Sequence, residues 1–399
     1  MNLATHFQAL DAFLLAHQPL WRPKPFTQLT LPWETAHPQL ASWLRERTLE
    51  QAEAEHNHPE LLDAPAPYPA IAAQAAALSD LPTLATGALQ PCHPRLNVDV
   101  PGRKWQQIEA FADALTFQRP THGWLDWCAG KGHLGRRLLQ PTQSLTCYEY
   151  DPALVDAGQA LSQHHQLNAD HRLQDVMAAD CHLPASTTAV ALHACGDLHV
   201  RLLQRAAADG CPQLAIAPCC YNRTAADHYQ PLSSAAATSA LRLSRDDLGL
   251  PLSETVTAGA RVRRQRDQSM AWRLAFDLLQ RQASAANAYL PTPSLPSAWL
   301  AKPFPNYCRE LAQLKGVPLP VDIPWATAEA NGWHRLAQVR NLELVRNLFR
   351  RPLELWLTLD RALFLQENGY QVRLGVFCTP QLTPRNLMLL AERPESFQN

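Results

Sequence analysis

Apolar and polar positions change rhythm along this chain. Residues 1–60 follow a helical spacing that prolines break at 19–25 and 32–38, and the stretch LLDAPAPYPAIAAQ reads as a linker. GRKWQQIEAFADAL sets Trp105, Ile108, Phe111, Ala112 and Leu115 on one face of a helix. Short apolar runs then alternate with helical ones. Strands are predicted at 123–128, 144–148, 171–174, 189–193 and 213–217. Helices are predicted at 132–140, closed by Pro141, from 151 to about 166, and at 198–209. Asp151-Pro152 is a helix start, with Asp as the N-cap and Pro at the first helical position. Strands alternating with helices predict a parallel, doubly wound α/β sheet covered on both faces.

After Cys220 the alternation stops, and the chain is proline-rich at 291–324 and helical elsewhere. It resumes with PLELWLTLDRALFLQENG, a buried helix closed by Asn368-Gly369, and strands at 371–377 and 387–390. The expected organisation is a helical N-terminal extension and linker (1–100), the first part of the sheet domain (101–225), a mostly helical insertion (226–349), and a closing helix with two strands (350–399). No internal repeat is visible.

With Lys+Arg 35 against Asp+Glu 36, the chain is no wholesale polyanion binder, so any nucleic-acid contact needs a local patch. The first twenty residues lack the basic flank and apolar core of an export signal, and nowhere do ~18 apolar residues run together. A soluble, cytoplasmic protein is expected. Its ten cysteines are then read as reduced thiols rather than a disulfide framework.

The chemistry begins at LDWCAGKGHLGRRLL, residues 125–139, where Gly130, Gly132 and Gly135 fit G-x-G-x-x-G. Such a turn lets backbone N–H groups and a helix N-terminus approach a ligand closely. A phosphate-loop NTPase would need Ser or Thr after the lysine, and Lys131 is followed by Gly132. A nicotinamide site and an S-adenosylmethionine site both want an acid after the second strand for the ribose hydroxyls, and Glu149 fits either. The residues ahead of the turn separate the two. Asp126, Cys128 and Ala129 make it D-x-C-A-G-K-G, which resembles the first motif of class I S-adenosylmethionine methyltransferases, with Cys128 at the usual first glycine.

Two further signatures fall on strand ends, LHACGDL (192–198) and APCCYN (217–222), and the closing segment carries Thr383-Pro384-Arg385-Asn386. Together with CAGKGHL these resemble the methyltransferase-like 25 family over roughly residues 101–220 and 350–392. That family includes proteins labelled rRNA adenine dimethylase domain-containing, and its wider relatives include tRNA 2′-O-methyltransferases. The resemblance implies a class I methyltransferase sheet of Rossmann-like form with a helical insertion before its last two strands, and S-adenosylmethionine as cofactor. It implies that Asp126, Cys128, Ala129, Gly130, Lys131, Gly132 and His133 line the methionine and ribose part of that cofactor. Glu149 would take the ribose diol, and Asp175 the adenine amine, with Asp180 as a rival. Lys104 matches a basic position of the family, whereas Gln107 stands where its acidic neighbour belongs.

Acceptor-side candidates are His193, Asp197, Cys219, Tyr221 and Asn222, with His193 also near the cofactor. His193 is a possible proton acceptor, since an ordinary histidine titrates near working pH. HACGD is not the N/D-P-P-Y/F of adenine-N6 enzymes, so the adenine label of relatives is not inherited. Cys195, Cys219, Cys220 and His193 lie on strand ends that converge; the cysteines are read chiefly as small groups lining an acceptor pocket, with a nucleophilic thiolate, or a zinc or iron–sulfur site drawing on all four residues, as alternatives, and no metal is expected. Arg261, Arg263, Arg264 and Arg266, with Arg340, Arg346, Arg350 and Arg351, could touch phosphates. Trp21, Trp33, Trp43 and Trp299 are read as core or lid. A macromolecular acceptor is expected, RNA before protein, with no DNA or membrane partner. The competing reading is a non-catalytic RNA- or ribosome-binding module on the same fold.

Overall fold

The computed structural model describes residues 2–87, 92, 95–253, 259–284 and 288–394. Its centre is one seven-stranded sheet: β1 (Gly123–Trp127), β2 (Ser144–Glu149), β3 (Ala169–Leu173), β4 (Thr188–Cys195), β5 (Gln213–Cys219), β6 (Gln371–Val376) and β7 (Leu387–Glu392). The order is β3-β2-β1-β4-β5-β7-β6, parallel through β5, with β7 antiparallel to both its neighbours. Every residue of β1, β5 and β7 is buried, which is why they read as unbroken apolar runs: helices cover both faces. On one face the helix Gly102–Asp113 buries Ile108 and Phe111, and Phe111 meets Phe377 edge-on at 5.8 Å. The helix Pro152–His164 starts as its sequence predicts, with Asp151 Oδ1 accepting the Ala153 N–H at 2.8 Å.

Some boundaries differ from expectation. The edge strand β3 starts and ends earlier, because only its middle residue is buried and the apolar pattern there is weak. Asp175 therefore lies two residues beyond the strand. The helix after β1 is only His133–Leu138, since Leu139 is already extended. β4 continues past His193 to Cys195 through an irregularity in its pairing with β5.

The chain divides into two compact units, residues 1–13, 79–252 and 353–399, and residues 14–78 and 253–352. The expected borders at 100, 225 and 349 are thus redrawn. Residues 82–84 join the sheet unit because the Leu84 N–H donates to Val376 O and the Val376 N–H to Pro82 O. Residues 229–233 join it through the buried Asp360, which accepts the Tyr229 hydroxyl and the Leu232 and Ser233 N–H groups. Residue Asp11 accepts the Trp356 indole N–H at 2.8 Å.

In the second unit the helices Ala260–Ala283, Phe304–Lys315 and Trp325–Asn347 contribute to the core, with Trp272 packed at a tilt against Phe304 and Tyr307. Arg340 is 8% exposed and pairs with Glu53 and Asp267; Arg350 is buried and donates to His56 O, and Arg346 donates to Trp21 O. These three arginines hold the helices together, so the expectation that they contact phosphates is corrected. Arg266 pairs with Glu53 as well, which leaves Arg261, Arg263 and Arg264 as the exposed run. Trp21 and Trp33 are core residues, and Trp43 is stacked under Arg47. Among the described residues no helix is long and apolar enough to cross a membrane.

Candidate active site

The turn after β1 is built from alternating backbone handedness. Cys128, Gly130 and Gly132 have φ of +57°, +56° and +71°. Glycine adopts such angles freely; for Cys128, at a position where the resembling motif has glycine, the left-handed conformation costs about 1 kcal/mol or more. At Gly132 no larger residue fits, since a Cβ would lie 2.5 Å from His171 Cε1. At Gly130 a Cβ would meet nothing within 4 Å, so the chain passes open space there.

Asp126 anchors this turn. It is 3% exposed, and its Oδ2 accepts the Gly135 N–H at 2.9 Å, fixing the start of the following helix. Burial raises its pKa to about 7, against the pull of that N–H and of Arg136. Asp126 is therefore a positioning residue rather than an open ligand contact. Glu149, at the end of the neighbouring β2, reaches across to the turn: Oε2 accepts the Gly130 N–H at 2.7 Å, and Oε1 accepts those of Tyr150 and Asp151. Lys131 is exposed, and its carbonyl accepts from Arg136. His133 is half-buried, accepts from Arg136 at Nδ1, and is held neutral by burial and that guanidinium, with its pKa lowered to about 4. Ala129 donates its N–H to Tyr148 O, tying the turn to β2. Asp175 is exposed, and its Oδ1 caps the Met177 N–H at 2.9 Å; Asp180 is also exposed. Both lie on the turn after β3.

Across the switch point of the sheet, β4 and β5 bring the second set of candidates together. His193 has φ +63°, and its Nε2 lies 3.0 Å from Gln107 Oε1. Gln107 Nε2 donates to Leu382 O, which orients the amide so that its oxygen faces the histidine. His193 therefore carries its proton on Nε2 and keeps a lone pair on Nδ1. Burial, with Arg385 and Lys104 adding repulsion, lowers its pKa to about 4. The expectation of a histidine titrating near neutral pH is corrected on that ground. Gln107 is the residue the sequence left without a role. The loop carrying Thr383 to Asn386 docks on the same helix, since Arg103 also donates to Gln381 O and Leu382 O, and Asn386 bonds Cys378 O.

Asp197 is committed locally: its Oδ2 accepts the Ala225 N–H and its own N–H donates to Arg223 O. Tyr221 is corrected as a catalytic candidate, because it is 3% exposed and its hydroxyl is engaged by Thr358 Oγ1 at 3.0 Å. Asn222 is half-buried with its Oδ1 buried and unpartnered, an acceptor ready for a donor. Cys219 is buried, and its pairing with Cys195 and its burial raise its pKa, so it is a poor nucleophile as it stands. At Cys195 the contact with Cys219, with contributions from Cys220 and Arg223, outweighs burial and lowers the pKa.

A sheet of this order, with a glycine turn after β1 and an acid after β2, is the class I methyltransferase architecture. Residues 103–227 match a family model described as a methyltransferase domain. Similar solved structures include magnesium protoporphyrin IX methyltransferase from Synechocystis PCC 6803 with bound SAH: 12% identity over 73% of this chain and 84% of that one, TM-score 0.30. Another is the 23S rRNA methyltransferase ErmE, 15% identical over 59% of this chain and 96% of that one, TM-score 0.25. A third is a candidate sarcosine dimethylglycine methyltransferase from Galdieria sulphuraria, 19% identical over 25% of this chain, TM-score 0.22. The alignment spans 39% of the length of that protein.

Proposed function

We propose that this chain is an S-adenosylmethionine-dependent methyltransferase of the methyltransferase-like 25 kind, acting on an RNA acceptor in the reducing interior of the cell. The observation that carries the reading is the Glu149 carboxylate held 2.7 Å from the N–H of Gly130, a position where an added Cβ would meet nothing within 4 Å. The cofactor's chemistry fits these residues. A carboxylate at the end of β2 offers acceptors to a ribose diol, and backbone from Cys128 to His133 offers close approach to the methionine part. Asp175 or Asp180, on the turn after β3, would face the adenine. The bound cofactor would supply an electrophilic methyl group. The protein's own work is then positional: Asp126 and Glu149 hold the turn, Gln107 holds His193 in one tautomer, and the acceptor is aligned for in-line displacement. His193 Nδ1 and Asn222 Oδ1 are the groups we assign to the acceptor.

RNA is favoured over protein by the exposed Arg261, Arg263 and Arg264, a local basic run on a chain otherwise balanced in charge. Incubating the protein with methyl-labelled S-adenosylmethionine and cell extract tests the reading. Label in RNA supports it. Label confined to protein or small molecules overturns the acceptor, and binding of NAD in place of S-adenosylmethionine overturns the class.

A further inference from the structure

Cys195, Cys219 and Cys220 come from two strand ends far apart in sequence, yet their sulfurs all lie within 4.8 Å of one another. The parallel register sets Cys195 beside Cys219, with the two sulfurs 3.5 Å apart. Cys219 and Cys220 are successive, and in a continued strand their side chains would point to opposite faces. Cys220 instead leaves β5 with φ +44°, a left-handed conformation that a cysteine adopts only when its surroundings impose it, and its sulfur joins the other two. His193, at φ +63°, carries the same kind of strain on the β4 side.

We propose that these three cysteines form a binding site for a single thiophilic d10 metal ion, with Zn2+ as the expected occupant and the fourth coordination position left to an exogenous ligand. Around one zinc ion, Zn–S bonds of about 2.3 Å in tetrahedral array set the sulfurs about 3.8 Å apart. The observed trio closes onto that geometry with shifts below about 1 Å. An iron–sulfur cluster fits less well, because each cysteine would bond a different iron and the sulfurs would have to spread. Thiolate ligands select Zn2+ and Cu+ over hard cations, and three protein ligands with an open position are the pattern of an exchangeable rather than purely structural site. Three thiolates around Zn2+ leave one net negative charge, and Arg223 near Cys195 and Arg385 near Cys220 complement it. The inference stands on thiol geometry and does not depend on the methyl-transfer reading.

The test uses the full chain, reduced, stripped of metal, and titrated with Co2+ as a spectroscopic stand-in for zinc. Thiolate-to-cobalt charge-transfer absorption and intense tetrahedral visible bands should saturate at one ion per chain and bleach on adding Zn2+. A parallel titration with Cu+ under anaerobic conditions separates the two d10 ions: tighter retention of Cu+ than of Zn2+ against a competing chelator overturns zinc as the occupant. Cys195→Ser and Cys220→Ser, both at half-buried positions, should each weaken metal retention by more than the roughly 10- to 100-fold that loss of a supporting outer partner costs. Cys378→Ser should change nothing. A reduced wild-type protein without charge-transfer bands, or Cys195→Ser and Cys220→Ser binding as tightly as wild type, overturns the site. Should a variant fail to fold, differential alkylation of wild type decides: Zn2+ must slow modification of Cys195, Cys219 and Cys220 together, and equal rates with and without metal overturn the proposal. None of these readouts involves methyl transfer, so their failure and the failure of the enzymatic reading are distinguishable.

Discussion

Glu149→Gln separates the charge of this side chain from its shape. The carboxylate now accepts three backbone N–H groups, Gly130 on one oxygen and Tyr150 and Asp151 on the other. An amide has a single oxygen. If that oxygen serves Tyr150 and Asp151, the amide NH2 faces the Gly130 N–H, donor against donor; the reverse placement opposes two donors instead of one. Bound to a ribose, the carboxylate would accept from both hydroxyls, whereas the amide can accept from one. The difference is one charge-assisted hydrogen bond, about 1.5–3 kcal/mol, or roughly 10- to 150-fold in affinity. Glu149→Ala removes both and should cost roughly 100-fold or more. Titration calorimetry with S-adenosylmethionine, its demethylated product and NAD, on wild type and both variants at one salt concentration, reads this directly. Circular dichroism confirms that the variants are folded. Folded variants that bind S-adenosylmethionine within about threefold of wild type would refute the reasoning, because the carboxylate would then not meet the ribose.

Gly132→Ala places a Cβ 2.5 Å from the His171 ring, itself held 2.9 Å from Ser162 Oγ, at φ +71°. Left-handed strain and overpacking together should destabilise the protein by about 2–5 kcal/mol in denaturant titration, and a loss under about 0.5 kcal/mol would contradict the packing. His56, His133, His171 and His193 have folded pKa values of about 4, all set first by burial. Between pH 6.5 and 4 the unfolded chain takes up protons that the folded chain refuses, so stability should fall as pH drops through that window and be insensitive to these groups above it. Melting curves across the range check this. Asp126 works in the opposite sense: with its folded pKa raised to about 7 from 3.8, it costs stability as pH rises from 4 to 7. Asp126→Asn keeps an oxygen for the Gly135 N–H, and its advantage over wild type should grow across that range toward about 4 kcal/mol. An advantage independent of pH would show that Asp126 is not buried as a charge.

The sheet could be read from the chain wherever burial on both faces wrote an apolar run, as in β1 and β5, or where local chemistry marked a boundary, as at Asp151-Pro152. At β3 the strand was legible but its ends were not, placed at 171–174 against Ala169–Leu173, because its exposed edge residues carry no clear pattern. Nor could the sequence place residues 82–84 and 229–233 in the sheet unit. Their attachment depends on main-chain bonds to Val376 and on the single carboxylate of Asp360, and neither leaves a periodic trace. The same limit applies to the arginines near residue 340. Helical spacing cannot distinguish an arginine facing solvent from one that pairs with Glu53 on another helix.

The two halves of the candidate site differ in the same way. The turn after β1 was readable because its demands are local: left-handed backbone selects glycine, and an acid must follow at the end of the adjacent strand. The acceptor half depends on register. Cys195 and Cys219 become neighbours only because β4 runs beyond His193 through a pairing irregularity, and Cys220 joins them only because the chain leaves β5 left-handed. Gln107 finds His193 only because Leu382 O takes its amide N–H. In each case the informative quantity is a backbone angle or a strand offset imposed by distant contacts: the chain shows that His193, Cys195, Cys219 and Cys220 lie on converging strand ends, but not which of their side chains meet. That convergence also bears on reactivity. A thiol read alone at Cys219 suggests a nucleophile, but the Cys195 sulfur 3.5 Å away and its own burial raise its pKa and hold it protonated.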